Sequence, residues 1–163
     1  MSPDGTQHSQ PAQERARGSR SWTARFSNHG WRESVEAMAR DFAAKSGVAV
    51  ATHLEDVELD EAARQTVLRL LQECLANIGN YACATHVHVE MLALQDSTVV
   101  TVRDDGIGFD TARASGLHPD MDAMRSNFEA SGGELCFFST PGKGTQVVAT
   151  LPRGQRARTA DSG

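Results

Sequence analysis

The chain has little cysteine, no long apolar run, no internal repeat and no excess of positive charge. Cys74, Cys83 and Cys136 cannot all pair within the chain, and none sits in a C-x-x-C. A disulfide scaffold is therefore excluded, and reduced thiols of a cytoplasmic protein are expected. No apolar stretch approaches the ~18–20 residues that span a bilayer, and the N-terminus lacks the apolar region of a secretory signal. The 163 residues carry 16 Lys+Arg against 21 Asp+Glu, a net charge of −5. Residues 1–20 sum to +1 and residues 153–163 to +2, which leaves −8 for residues 21–152. An acidic body argues against nucleic acid as a partner, since such domains present a basic face. What remains, with 39% hydrophobic and 23% charged residues, is the composition of an ordinary globular protein of one domain.

The two ends, residues 1–21 and 153–163, contain almost nothing that can pack and read as a disordered leader and tail. Between them the hydrophobic period alternates. Trp31, Val35, Met38, Phe42 and Ala43 recur at helical spacing until Ser46-Gly47 stops the pattern. Val48–Leu54 reads as a strand. Asp60 is placed to cap a long helix running to about Ala82, with Val67, Leu68, Leu71, Leu75 and Ile78 as its buried stripe. Two alternating runs, His86–Leu92 and Thr98–Arg103, flank Gln95-Asp96-Ser97 and predict a hairpin. After the Gly-rich DDGIGFDTARASG, Pro119 opens a helix that ends at Gly132-Gly133. Glu134–Ser139 and Thr145–Leu151 form a last hairpin. Strands paired mainly through hairpins with helices between them predict an α+β two-layer sandwich, its sheet mixed but mostly antiparallel and its helices on one face.

Three clusters carry chemistry. On the long helix Arg69, Glu73, Asn77 and Asn80 follow one another at steps of four, four and three and so share a face. A charged stripe on a helix is commonly just its solvated side. Asn is a poor mid-helix residue, however, and an oxygen-rich face on a cleft can hold Mg²⁺ through few protein ligands plus phosphates. The second cluster, Asp104-Asp105-Gly106-Ile107-Gly108-Phe109, directly follows a strand. Its glycines permit close approach of a ligand to the backbone, and an acidic residue at the strand end can accept from an exocyclic amino group. The third, Pro141-Gly142-Lys143-Gly144-Thr145, is not a Walker A loop. Phe137 stands where the first Gly of that motif belongs, and Gly144 follows Lys143 instead of Ser or Thr. Alone, each of the last two is as well explained by a turn.

In this order and spacing, QECLANIGNYACAT, VRDDGIGFD and FEASGGELCFFSTPGKGTQVVATLP resemble the catalytic ATP-binding domain of sensor histidine kinases. The likeness is to the GHKL-type ATPase superfamily with its Bergerat-type fold, and within it to the subgroup paired with LuxR-type response regulators. It covers about Trp31 to Pro152. The resemblance implies ATP and Mg²⁺ as cofactors and gives roles by position. Glu73 and Asn77 match the N box, Glu73 polarising the attacking group or an intervening water and Asn77 ligating Mg²⁺ that bridges the phosphates. Asp104 matches the acceptor for the adenine amino group, with Gly106 and Gly108 at the pocket edge. Gly142, Gly144 and Thr145 match the closing glycine motif, with the Thr145 hydroxyl completing the adenine site. Gly116, in the remnant Gly116-Leu117 of the ATP lid, also belongs to the nucleotide site, as do Asn80 and Tyr81. Residues 22–47 resemble the end of a dimerisation hairpin, with an exposed apolar face that favours self-association as a homodimer. Residues 48–152 form the ATP-binding domain itself.

The implied activity is donation of the γ-phosphoryl group to a histidine on a separate helical domain, and through it to a response regulator. Two departures bear on it. Asn80 and Tyr81 stand where the family has Lys or Arg followed by His, which removes a cation from the phosphates. In the lid, HPDMDA separates Gly116-Leu117 from Met124-Arg125, and Ala123 replaces a glycine. None of His8, His29, His53, His86, His88 and His118 is followed by Asp or Glu, as acceptor histidines usually are. His86 and His88 share one strand face without a third ligand and read as its exposed side. The alternatives are a nucleotide-binding regulatory module without kinase activity and, further off, a serine kinase of the anti-sigma type.

Overall fold

The computed structural model describes residues 30–111 and 119–152. The expected leader, the expected tail and Gly116 lie outside these residues. The elements in chain order are α1 (Trp31–Ser46), β1 (Ala49–Leu54), α2 (Glu61–Asn77), β2 (His86–Ala93), β3 (Ser97–Asp104), α3 (Pro119–Ala130), β4 (Glu134–Ser139) and β5 (Thr145–Pro152). This is the α+β order expected from the alternating periods, and every predicted strand is present.

Local chemistry sets the helix ends. Gly47 closes α1 in the left-handed conformation, φ 75°, with its N–H returning to the Ala43 carbonyl. Asp60 caps α2 by accepting from the Ala63 N–H at 2.8 Å. At its other end α2 does not run on as a regular helix to Ala82. It widens into a π-helical turn over Ile78–Ala82, after which Cys83 takes φ 52°. Hydrophobic periodicity does not report that change of pitch.

The five strands form one open sheet in the order β1-β2-β3-β5-β4. Only β1 and β2 are parallel, joined by the α2 crossover, and the other pairs are antiparallel. Alternate residues point to opposite faces, and one face is buried: Val87, Val89 and Met91 on β2, Val100 and Val102 on β3, and Val147, Ala149 and Leu151 on β5. Against it pack Val67, Leu68, Leu71 and Leu75 of α2 and Met124 and Phe128 of α3. Val35 and Met38 of α1 belong to the same core, with Trp31 and Phe42 packed on it. The apolar stripe of α1, expected to be exposed as part of a separate hairpin, is thus covered by the sheet layer. Its Val35 and Met38 are 2% and 1% exposed, so α1 closes the sandwich over β1 and α2.

Candidate functional site

Strand register builds the floor of the site. The antiparallel ladders align Asp104 with Thr145, and Thr145 with Ser139, in one row across β3, β5 and β4. The next row inward is Val102, Val147 and Phe137. The two-residue period that buries Val100 and Val102 therefore also carries Asp104 under the helices, where it is 5% exposed. Over these two rows lies a cavity of about 450 Å³. Its walls come from Asn77, Ile78 and Tyr81 on the α2 side and Met121 and Met124 of α3, with Ile107 and Phe109 at the loop edge. The size and mainly apolar lining suit a small-molecule ligand.

Asp104 accepts from the Gly106 N–H at 2.9 Å and from the Thr145 N–H. Burial still raises its pKa above the ordinary carboxylate value, the two backbone donors oppose that rise, and the neighbouring Asp105 adds to it. Cys74, fully buried beneath the cavity, has its thiol pushed up to about 12 by burial, with Glu73 and Asp104 contributing. It is a packing residue rather than a nucleophile.

Two residues that sequence reasoning passed over hold the floor in shape. Ser139 Oγ accepts from the Phe109 N–H at 2.8 Å and donates to the Gly144 carbonyl at 2.9 Å. It also lies 2.8 Å from Thr145 Oγ1. A hydroxyl has one proton, so Ser139 must accept from Thr145, and Thr145 Oγ1 turns only lone pairs toward the cavity. The signal was available: a hairpin around TPGKG pairs Ser139 with Thr145. Asp105, next to Asp104 in the second cluster, is exposed but not idle. Its carboxylate accepts from the Thr85 and His86 N–H groups at 2.8 and 2.9 Å and from Thr85 Oγ1 at 2.6 Å. These bonds hold its carboxyl well below the usual carboxylate range, the Thr85 hydroxyl contributing most. No periodicity announces a latch across 20 residues of chain.

The glycine loop is pressed between its neighbours. Ile107 donates to the Ala82 carbonyl at 2.8 Å and accepts from the Gly142 N–H at 2.6 Å. A Cβ on Gly106 would run into the Ala82 carbonyl, and one on Gly108 into the Thr140 carbonyl. Gly144 is held at φ +79°, where a Cβ would strike the Asp104 carbonyl.

Of the residues singled out from the sequence, Asn77, Tyr81, Asp104, Gly108 and Thr145 line this cavity. Gly106, Gly142 and Gly144 shape its loops. Glu73 lines a second, smaller cavity between α2 and α3, which shares Met124 with the first. Asn80 lines neither and is exposed. A π-helical turn advances less per residue than an α-helix, so past Ile78 the stripe slips and Tyr81 faces the cavity instead. The face shared by Arg69, Glu73 and Asn77 ends before Asn80. Among the described residues no group of three or more His, Cys, Asp or Glu is arranged to hold a metal. The oxygens that suit Mg²⁺ beside phosphates are those of Asn77 and Glu73, one helical turn apart.

The family model described as histidine kinase-, DNA gyrase B- and HSP90-like ATPase matches residues 62–155. The chain belongs to this ATPase family. Its matched segment contains the Asp104 row, the glycine loop and the helix that carries Glu73 and Asn77. Among curated relatives of this ATPase domain, the sensor histidine kinase NarS of Mycobacterium tuberculosis is 32% identical over 123 residues, covering 73% of this chain and 28% of that one. The sensor histidine kinase LiaS of Bacillus subtilis is 24% identical, covering 76% and 34%. The nitrate/nitrite sensor protein NarQ of Escherichia coli is 27% identical, covering 71% and 20%. The chain thus spans about a fifth to a third of the length of these relatives. The histidine kinase domain from the Erythrobacter litoralis EL346 blue-light activated histidine kinase superposes with a TM-score of 0.65 at 21% identity, covering 78% of this chain and 64% of that one. The histidine kinase AdeS of Acinetobacter baumannii gives 0.61 at 14%, covering 75% and 62%. These superpositions establish the shared fold. Like the relatives it matches, the chain carries an ATPase domain of the sensor histidine kinase type. No described helix is long and apolar enough to cross a membrane.

Proposed function

We propose that the chain binds ATP with Mg²⁺ and serves as the cytoplasmic catalytic domain of a two-component sensor kinase. In this role it donates the γ-phosphoryl group to a histidine on a separate helical domain, from which a response regulator is phosphorylated. The observation that carries the reading is the buried Asp104 carboxylate, set in one row with Thr145 and Ser139 at the floor of an apolar cavity. The Gly106 and Thr145 N–H groups satisfy only part of this carboxylate's accepting capacity, and an exocyclic amino group of a flat base supplies a further donor. The apolar walls take the faces of the base, and the lone pairs of Thr145 Oγ1 take a further donor or a water. On this reading Asn77, which lines the cavity on the α2 side, would hold Mg²⁺ against the phosphates, where the metal would supply charge neutralisation. Glu73, one turn earlier, is placed to orient the incoming acceptor side chain and take its proton.

One observation favours a second reading, a module that binds nucleotide and regulates without transferring phosphate. Among the described residues lining the main cavity there is no Lys or Arg, and Tyr81 occupies the family's His position. Calorimetric titration with a non-hydrolysable ATP analogue, with and without Mg²⁺, decides nucleotide binding. Saturable heat that strengthens with Mg²⁺ is expected, and no heat at millimolar analogue sinks both readings. Incubation with labelled ATP and a supplied acceptor hairpin then separates kinase from binding module.

A further inference from the structure

The triphosphate of a bound nucleotide carries several negative charges, and the body of this chain is itself acidic. Mg²⁺ offsets only part of that charge. The position where the family places a cation holds Asn80, which is exposed and lines neither cavity. Where the remaining positive charge comes from is therefore a question about this chain's own residues.

The second cavity answers it. About 180 Å³ in volume, it lies between α2 and α3, shares Met124 with the main cavity, and is lined by Thr66, Arg69 and Glu73 on one side and Asn127 on the other. Among the described residues lining the two cavities, Arg69 is the one cation. No carboxylate lies within ion-pair distance of it among the described residues. Arg69, Glu73 and Asn77 repeat every four residues, so they form one stripe with roughly 6 Å between steps. A helical side chain leans back over the turn before it, which makes Asn77, Glu73 and Arg69 a graded path leading away from Asp104. A guanidinium fits a terminal phosphate through paired N–H donors, a geometry that an exposed Asn at position 80 could not replace. Arg125 of α3 lies over the Phe137 ring at 5.3 Å.

We infer that Arg69 is the terminal-phosphate cation of this domain. On that assignment the triphosphate runs from Asn77 past Glu73 along the α2–α3 groove, and Arg69 makes the chain discriminate nucleoside triphosphate from diphosphate. This rests on the ATP reading proposed above and adds to it the residue that senses the γ-phosphate.

The test is equilibrium titration of the full chain with ATP and, separately, with ADP, both with Mg²⁺, for wild type, Arg69→Gln and Arg69→Lys. Gln keeps the helix propensity of an exposed helical position, and far-UV circular dichroism with a thermal melt verifies the fold of each variant. Arg69→Gln is expected to weaken ATP about tenfold while leaving ADP within about twofold, because only ATP presents the phosphate that Arg69 meets. Arg69→Lys is expected to recover part of the loss through its point charge. Equal weakening of ATP and ADP, or unchanged ATP affinity in folded Arg69→Gln, overturns the assignment and leaves nucleotide binding standing. Failure of wild type to bind either nucleotide overturns both.

Discussion

Gly142 and Gly144 share a backbone conformation, φ +80° and +79°, two residues apart in the β4–β5 turn, yet their surroundings differ completely. Nothing lies within 4 Å of a Cβ built on Gly142, whereas one on Gly144 would strike the carbonyl of Asp104. Alanine at either position incurs the cost of left-handed backbone, roughly 1–2 kcal/mol. Part of this is returned by the stiffer unfolded chain, by about 0.4–1 kcal/mol. Gly142→Ala should therefore lose about 1 kcal/mol. Gly144→Ala adds the overpacking of a floor that cannot yield without moving a strand, a further 1–3 kcal/mol or so. Urea unfolding followed by circular dichroism should give similar m-values for both variants and midpoints that fall in that order. The displaced Asp104 strand end should also weaken nucleotide binding in Gly144→Ala and leave it intact in Gly142→Ala. Losses of stability within about 0.5 kcal/mol of each other would refute the tight contact between the closing turn and β3.

Three other perturbations test the same architecture. Asp104 must be ionised to accept from a base amino group, and its pKa is raised by burial, so affinity for adenine nucleotides should start to fall at a higher pH than an ordinary carboxylate would give. Asp104→Asn should weaken binding across the whole range, and unchanged affinity would show that the base does not sit on β3. For Asp105 the sign is opposite. Its folded pKa is lowered, so the stability it contributes is present above the unfolded value of 3.8 and is lost as pH falls below that value toward the folded one. Asp105→Asn should flatten that part of the acid-unfolding curve, and a curve of wild-type shape would disprove the latch. Thr98, 1% exposed, buries a hydroxyl that has no partner among the described residues. Thr98→Val should gain about 1 kcal/mol in the same unfolding assay, and a loss would point to an unseen partner for the hydroxyl.

What the sequence made legible was whatever repeats locally. Strand alternation located β2, β3, β4 and β5, and the Asp60 cap and Gly47 stop fixed helix ends, because each signal lies within a few residues of its effect. The same alternation carries Asp104 from a strand end to a buried site. Three features escaped because their causes are distant or have no period. The π-helical turn at Ile78–Ala82 shifts the α2 face and removes Asn80 from the cavity without any change in residue type that would signal it. The Asp105 latch joins residues 20 apart, and its value depends on a β2–β3 register that only the folded sheet supplies. The covering of α1 depends on the parallel β1–β2 pairing, whose long crossover leaves no local mark.

The two halves of the site differ in how they are held, and this difference has a functional consequence. The base side is a product of the sheet: Asp104, Thr145 and Ser139 are neighbouring rungs of continuous ladders, and backbone donors and one serine hydroxyl fix their polar atoms. Such a floor is preorganised, so little ordering is left to oppose binding of a flat base. On the proposed reading the phosphate side lies along one helix edge and the groove beside α3, where Asn77, Glu73 and Arg69 sit on successive turns. Affinity there would depend mainly on charge, which makes it sensitive to salt and to single substitutions. On that reading, replacing a family cation at position 80 would alter phosphate recognition without disturbing base recognition. A chain built this way can keep its nucleotide and lose or relocate its catalytic charge, which is the physical basis on which a kinase and a regulatory binding module can share one fold.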